Sequence, residues 1–431
     1  MEKELSKEFI VELSKRKNEP AWMLDFRLKA YEKFLELDNP DFGPELEIDF
    51  KKIQYYKKST NDMTNSWEGV SCNTRNTFEK LGVIKAEQNY LGGVTNQQDS
   101  EVFYHTKHDG GVIFTSTDDA LQKYPQLFKK YFNNLVKYDE NKYTALNSAL
   151  WSGGSFIYIP KGVKLDRPLQ SYFRIESESL GQFERTIIIV DDDAELSYIE
   201  GCTAPTYSKA SLHAGVVEIY VNKNSKCKYS TIQNWSTDVY NLVTKRAIVL
   251  ENGIMEWVDG NIGSYVTMKY PSCILKGNNS VGNSISIAYA KEGQFLDAGA
   301  KMIHLGKNTK SNIVSKSIAS SGGVANYRGT TKITEKAVGS IAKIKCDTIL
   351  LDNDSKSDTY PKNIVSNELS TLEHEATVSK ISAEKMFYLT SKGISEERAK
   401  ELLIMGFISD FKKELPLEYA VELNRLLKSV N

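Results

Sequence analysis

From residue 151 the chain is, for about two hundred residues, a succession of short strand-like runs with no convincing helix between them. FIYIP, RTIIIV, LSYIE, GVVEIYV, NLVTKRAIVL, VTMKYPSCIL, NIVSKSI and IAKIKCDTILL are among them. These runs are rich in β-branched and aromatic residues, and Gly, Asn, Asp and Ser cluster between them. Starts recur roughly every 15 residues, too closely for crossover helices, which argues against βαβ architecture. A sandwich, a barrel, a propeller or a solenoid remains. The lack of a tight repeat counts against a regular propeller, and the length of the array favours a solenoid. The expected core is therefore all-β, with a β-helix favoured.

Helical patterns flank this core. Residues 3–17 and 21–37 carry apolar residues at helical spacing, among them Trp22, Leu24, Phe26, Tyr31 and Phe34, with Pro20 where a helix start tolerates it. Residues 101–115 read as a β-like stretch. Residues 117–136 read as a helix with Thr117 as N-cap and Asp118 and Asp119 favoured by the helix dipole. After residue 380 three helices are expected, one ending at Gly393, one through SEERAKELLIMGFISDF with a bend at Gly406, and one from Pro416. The expected organisation is a helical or mixed region over 1–140, a β-helix core over 141–368 and a helical domain over 369–431.

Composition narrows the function classes. The 431 residues are 40% hydrophobic and 26% charged, as in an ordinary soluble protein, and the net charge of −1 gives no electrostatic reason to expect nucleic acid or an anionic membrane as partner. No run approaches the ~20 apolar residues of a membrane-spanning helix, and the charged MEKELSKEFIVELSKRK holds no signal-peptide core. A cytoplasmic or plastid-stromal protein is expected. The five cysteines, Cys72, Cys202, Cys227, Cys273 and Cys346, are scattered and form no CxxC pair. Any metal or sulfur chemistry needs ligands brought together by the fold.

GxxxxGK[ST], HExxH and GxSxG are all absent, so the chain carries no P-loop of its own. A carbohydrate-active β-helix would use paired carboxylates, for which Asp191–Asp193 is a candidate, although VDDDAELS reads better as a solvated turn. LEHEAT is more pointed. It sets Glu373, His374 and Glu375 side by side where the β pattern gives way to helices. Cys346, in KIKCDTILL, precedes it by about one coil, and coils of a solenoid stack ~4.8 Å apart. Thiolate, imidazole and carboxylate together suit iron or zinc. The competing reading is a helix-entry segment whose charges face water.

The blocks RKNEPAWMLDFRLKAY, ALNSALWSGGSFIYIPKGVKLDRPLQSYFRI, YIEGCTAP, STIQNW, MKYPSCIL, KCDTILLDN and LEHEATVSKI, in this order, resemble the SufB-type subunits of the SUF iron–sulfur cluster assembly machinery. GCTAP, QNW and KCD point to SufB-type chains and away from the SufD paralogues. The resemblance implies a helical N-terminal region, a right-handed parallel β-helix core and a C-terminal helical domain that docks the SufC ATPase. It implies a scaffold role rather than an enzyme, with SufD or a second SufB-like chain as partner. Sulfur would come from a cysteine desulfurase and its sulfur-transfer partner, and a transient iron–sulfur cluster would pass to apo-proteins. A reduced flavin belongs to some such complexes, with no signature in these residues. By resemblance Cys202 is the sulfur entry point, and Arg174, Gln233, Trp235 and Lys245 line a route to Cys346, the acceptor and cluster ligand. Glu373, His374 and Glu375 assist, with Glu375 the preferred carboxylate. Cations along the route would lower the thiol pKa values. The chain lacks the N-terminal CxxCxxxC of some relatives, and Glu176 stands where many have Asn.

Overall fold

The computed structural model describes residues 4–58, 63–80, 84, 90–106, 111–205 and 211–414. Its centre is a parallel β-solenoid of about eight turns, with two strand-bearing walls. One wall is a ten-stranded sheet, which ends in the strands Glu195–Thr203, Lys226–Trp235, Ile254–Gly263, Val281–Ala290, Lys310–Ala319, Ile341–Leu350 and Thr371–Lys380. The other wall has twelve strands, including Val216–Val221, Val239–Val249, Phe295–His304, Val324–Ile333 and Thr359–Val365. Each coil contributes a strand to both walls, which is why strand starts recur at half the coil length. Between these rungs of the ten-stranded sheet the coil length varies from 27 residues (Ile254 to Val281) to 31 (Glu195 to Lys226). The variation is taken up at the corners. There Asp193, Asn224, Asn252 and Asn279 all adopt positive φ, and each Asn amide donates to the side chain one coil earlier at 2.9–3.1 Å. Asn and Asp tolerate this left-handed geometry better than other side chains.

Strand alternation sends every second side chain into the lumen. Tyr198, Tyr229, Trp257, Val217, Ala247, Met302, Ile344 and Cys346 belong to one buried cluster there. The N-terminal helices Lys7–Arg16 and Ala21–Glu36 help cover the outer face of the twelve-stranded wall, with Phe34 and Tyr31 sharing a cluster with Leu242 and Met268. Arg27, fully buried, pins them by ion-pairing with Glu19 at 2.6 Å and donating to the carbonyls of Ala149 and Trp151. The helix Lys142–Leu150, which the sequence pattern does not announce, is buried along nearly all its length.

The expected helix over 117–136 is two helices, Thr117–Lys123 and Pro125–Tyr131, because Pro125 has no N–H to continue the first. Its N-cap is Ser116, not Thr117. The Ser116 hydroxyl accepts from the Asp119 N–H, whereas Thr117 donates to the Arg185 carbonyl at 2.5 Å. Residues 371–380, expected within the helical region, form the last strand of the ten-stranded wall, and helix begins at Ala383. Ala383–Ser391 is followed by Glu396–Phe407 and Ser409–Glu414. Ile404 and Phe411 of the latter two, with Ile408 at the turn between them, pack on the outside of the wall against Ile232, Val258 and Ile287. The third expected helix, from Pro416, lies outside the described residues. At this end the last strands, Thr359–Val365 and Thr371–Lys380, each pair on one side and stand largely exposed.

Candidate functional site

Cys346 points into the lumen at this open end. His374, on the next rung, brings Nε2 to 3.7 Å from its sulfur. Asn363, from the facing wall, donates its amide to His374 Nδ1 at 3.0 Å, which leaves the imidazole proton on Nε2, facing the sulfur. The Tyr327 hydroxyl also bonds Cys346. Burial pushes the thiol up to about 12, with the Tyr327 bond acting the other way. Burial also lowers His374, so near neutral pH the pair rests as a thiol and a neutral imidazole.

The pleat divides the triplet. Glu373 and Glu375 stand opposite Lys343 and Lys345 in register, on the outer face, and ion-pair with them at 3.3 and 3.7 Å. Neither carboxylate shares the face of Cys346, so Glu375 is not placed as a co-ligand in this conformation. Among the described residues no three His, Cys, Asp or Glu side chains gather as one metal ion requires. Cys346 and His374 bring only two donor atoms together.

Cys202 lies in another setting. Its thiol donates to Glu200 Oε1 at 3.8 Å. Glu200 also accepts from Lys245 Nζ at 2.9 Å and from the Tyr229 hydroxyl. Burial, the largest single influence, works to raise the Glu200 carboxyl, but Lys245, the Tyr229 hydrogen bond and His213 together outweigh it, so Glu200 is held below the ordinary carboxylate value. A second buried cation, Lys269, sits 2.9 Å from both Gln233 Oε1 and Asp259 Oδ1. Asn241 joins Gln233 to His213, which in turn meets Glu184 at 2.7 Å. Within this network the Gln233 Nε2 and Trp235 Nε1 donors have no partner among the described residues. Buried N–H groups left open in this way suit an anion or water passing them. Arg174 is not part of the network. Cys202 stands opposite Phe173, so Arg174 turns to the other face and pairs with Glu176.

The cations act to lower the Cys202 thiol but are outweighed. Burial raises it well above the ordinary value, and the charges of Glu200 and Glu184 add to that, because Glu200 stands between the sulfur and Lys245. From the strand of Cys202 to that of Cys346 is five rungs, roughly 24 Å along the axis at the usual strand spacing. Direct sulfur exchange between the two thiols is therefore out of reach. The inward column that joins the two regions is polar at every rung. It runs Glu200, Thr231, Asp259, Ser286, Ser315, Cys346 in register, with Ser286 donating to Ser315 at 3.1 Å.

Sequence reasoning missed Glu200, Tyr229, Asp259, Lys269, Tyr327 and Asn363. The available signal was a charged residue at inward parity in an otherwise apolar strand, as with Glu200 in LSYIEGCT. The acidic run at Asp191–Asp193 is a corner turn. Asp191 accepts from the Tyr158 hydroxyl and the Asn222 amide, and Asp193 from the Asn224 amide. Among the described residues no helix is long and apolar enough to cross a membrane.

Fold and site define a β-solenoid of the thiol-bearing kind, with cysteines set far apart and joined by one polar column inside an otherwise largely apolar lumen. A family model described as "SUF system FeS cluster assembly, SufBD core domain" matches residues 173–407, and one for the "SufBD protein N-terminal region" matches 14–171. An "Iron-sulfur cluster assembly SufBD family protein" of Staphylococcus epidermidis is 56% identical, over 99% of this chain and 93% of its own length. A protein of that description from Staphylococcus aureus (strain MRSA252) is also 56% identical, and one from Staphylococcus saprophyticus is 55% identical, with the same coverage of both chains. The chain belongs to the SufBD family of iron–sulfur cluster assembly proteins.

Proposed function

We propose that this chain is a SufB-type scaffold on which an iron–sulfur cluster is built, rather than a SufD-type subunit. GCTAP, QNW and KCD favour that choice. The observation that carries the reading is the pair of Cys346 and His374 at the open end of a lumen whose polar column reaches the Cys202 region. Sulfur enters at Cys202 from a cysteine desulfurase and its transfer partner. The open donors of Gln233 and Trp235 and the ammonium groups of Lys245 and Lys269 favour its anionic form. An external thiol reductant supplies the two electrons that free this sulfur from a Cys202 persulfide as hydrosulfide and restore the Cys202 thiol; Cys346, with His374, holds the iron that the sulfide bridges before the cluster passes to apo-proteins.

Two ligands do not complete a cluster, and the place of the site suggests where the others come from. The exposed last rungs carry Tyr360, Val365, Leu369 and Val378. Unpaired strand edges of this kind invite another chain. SufD or a second copy docking there would close the site over Cys346. Glu375 joins only if the last strand turns or frays. SufC binds the C-terminal helical unit, where Phe387 is 75% and Tyr388 62% exposed. Nucleotide-driven movement of those helices then works on the coil that holds His374.

Anaerobic reconstitution with SufC, comparing wild type with Cys346→Ala, tests this reading through iron and sulfide content and the visible spectrum. Loss of the cluster in the variant is expected. An unchanged spectrum would overturn the assignment of Cys346.

A further inference from the structure

The outer surface of the twelve-stranded wall holds a cavity of about 440 Å³ beneath the segment 37–42. It opens where the sheet is interrupted. The strand Val239–Val249 pairs with its neighbour at Tyr240–Val243 and again at Arg246–Val249, while Thr244 and Lys245 face Tyr270 and Pro271 unpaired. Proline has no N–H with which to continue the ladder. The covering segment is held in place, since Lys142 Nζ donates to the Leu37 carbonyl at 2.7 Å and the Tyr143 hydroxyl to Asn39 at 2.8 Å. The space is thus preformed, and its size lies in the range of small-molecule sites.

Its charges are uneven. Arg246 is bound by Glu140 at 2.6 and 2.8 Å, and Arg328, nearby, by Asp297 at 2.9 Å. Lys301 lies in the electrostatic reach of both guanidinium groups and of Glu140, and among the described residues it makes no ion pair of its own. Its ammonium lies 5.4 Å from the centre of the Tyr270 ring. Burial lowers Lys301, repulsion from Arg246 and Arg328 adds to that effect, and Glu140, already bound to Arg246, offsets only part of it. A largely desolvated cation among cations is costly unless an anion joins it. Met268, Leu242 and the Tyr270 ring supply an apolar side, and Asp38 and Asp41, on the covering segment, are exposed to solvent.

We infer that this cavity binds a small organic oxyanion, with its carboxylate or phosphate on Lys301 and its apolar body along Met268, Leu242 and Tyr270. The inference is independent of the scaffold reading. Its position is suggestive nonetheless, because the strand that forms the cavity floor carries Lys245 on its inner side, bonded to Glu200 beside Cys202.

The test is calorimetric titration of the full chain, in phosphate-free buffer, with phenyl phosphate, benzoate and inorganic phosphate in turn. One site per chain is expected for phenyl phosphate or benzoate, with Kd below about 1 mM. The preferred probe distinguishes phosphate from carboxylate, and inorganic phosphate binds more weakly for want of an apolar body. Lys301→Gln weakens binding by about tenfold or more, the worth of one charge-assisted hydrogen bond, and Lys301→Arg retains it. In wild type, where no variant has to fold, the bound probe shields the Lys301 amine from acetylation as read by mass spectrometry. No saturable binding by any of the three, equal affinity in a folded Lys301→Gln, or no shielding of Lys301 would overturn the inference.

Discussion

Around Cys202 the lumen is crowded with buried charge, with Glu200 bonded to Lys245 and Asp259 to Lys269. Cys346 instead has the uncharged side chains of Tyr327 and His374 against its sulfur, and its rung is followed by a single further coil. Ion pairs at the first place are sealed in, whereas those at the second, Lys343–Glu373 and Lys345–Glu375, lie more than half exposed on the outer face. The difference teaches that the two ends do unlike work. The Cys202 region is held rigid by interactions that are costly to break one at a time. The Cys346 region can be opened cheaply, because an end coil of a solenoid has one neighbour to leave.

The contrast can be broken at several points. Lys245→Met should have the largest effect, because it leaves Glu200 buried and uncompensated, at a cost of about 3–5 kcal/mol. Calorimetry should show a large fall in Tm, and Lys245→Met combined with Glu200→Gln should recover most of it. A small loss in the single variant would mean that the network is more hydrated than described.

Acid should attack the same pair. The folded-state pKa of Glu200 is depressed from an ordinary value of 4.5, since Lys245 and the Tyr229 hydrogen bond, with His213, together outweigh burial. Its contribution to stability is therefore complete above that value and is lost as pH falls through the lower folded value. Acid unfolding followed by circular dichroism should thus lose its dependence on this group in the double variant.

Thiol labelling compares the ends directly. In the resting chain Cys346 should react slowly, yet roughly tenfold or more faster than Cys202, because fraying of the last coil exposes it. Its rate should still climb above pH 9, since its pKa is pushed up to about 12 by burial from an ordinary 9.0. Equal rates at the two cysteines, read by mass spectrometry, would remove the distinction. The smallest effect belongs to Lys345→Ala, whose exposed pair with Glu375 should leave stability within about 0.5 kcal/mol of wild type.

Much of the fold was legible because strands buried in a solenoid advertise themselves through β-branched and aromatic runs. The recurrence of starts was legible too, and it marked half-coils. The helix Lys142–Leu150 was not, because a segment buried on nearly every side has no polar stripe to betray its period. At the candidate site, adjacency in sequence misled. Glu373, His374 and Glu375 look like one cluster only if the segment is not a strand. Once Leu372, His374, Ala376 and Val378 are seen to alternate with Thr371, Glu373, Glu375 and Thr377, the pleat must separate them. Cys346 and His374 were brought together by coil stacking, as the spacing suggested. Lysine side chains turned inward, such as Lys269, gain their meaning only from partners on distant coils, and no local pattern carries that.

The uneven coil length has a consequence for how such a chain can change over generations. Between the rungs Glu195–Thr203 and Val281–Ala290 the spacing runs through 31, 28 and 27 residues, yet the inward columns stay in register. Insertions and deletions are therefore absorbed at corners, where a left-handed Asn or Asp restarts the next strand in phase. A single residue gained inside a strand would instead turn every later side chain of that strand over. A corner can thus be lengthened or trimmed while the column from Glu200 to Cys346 keeps its register.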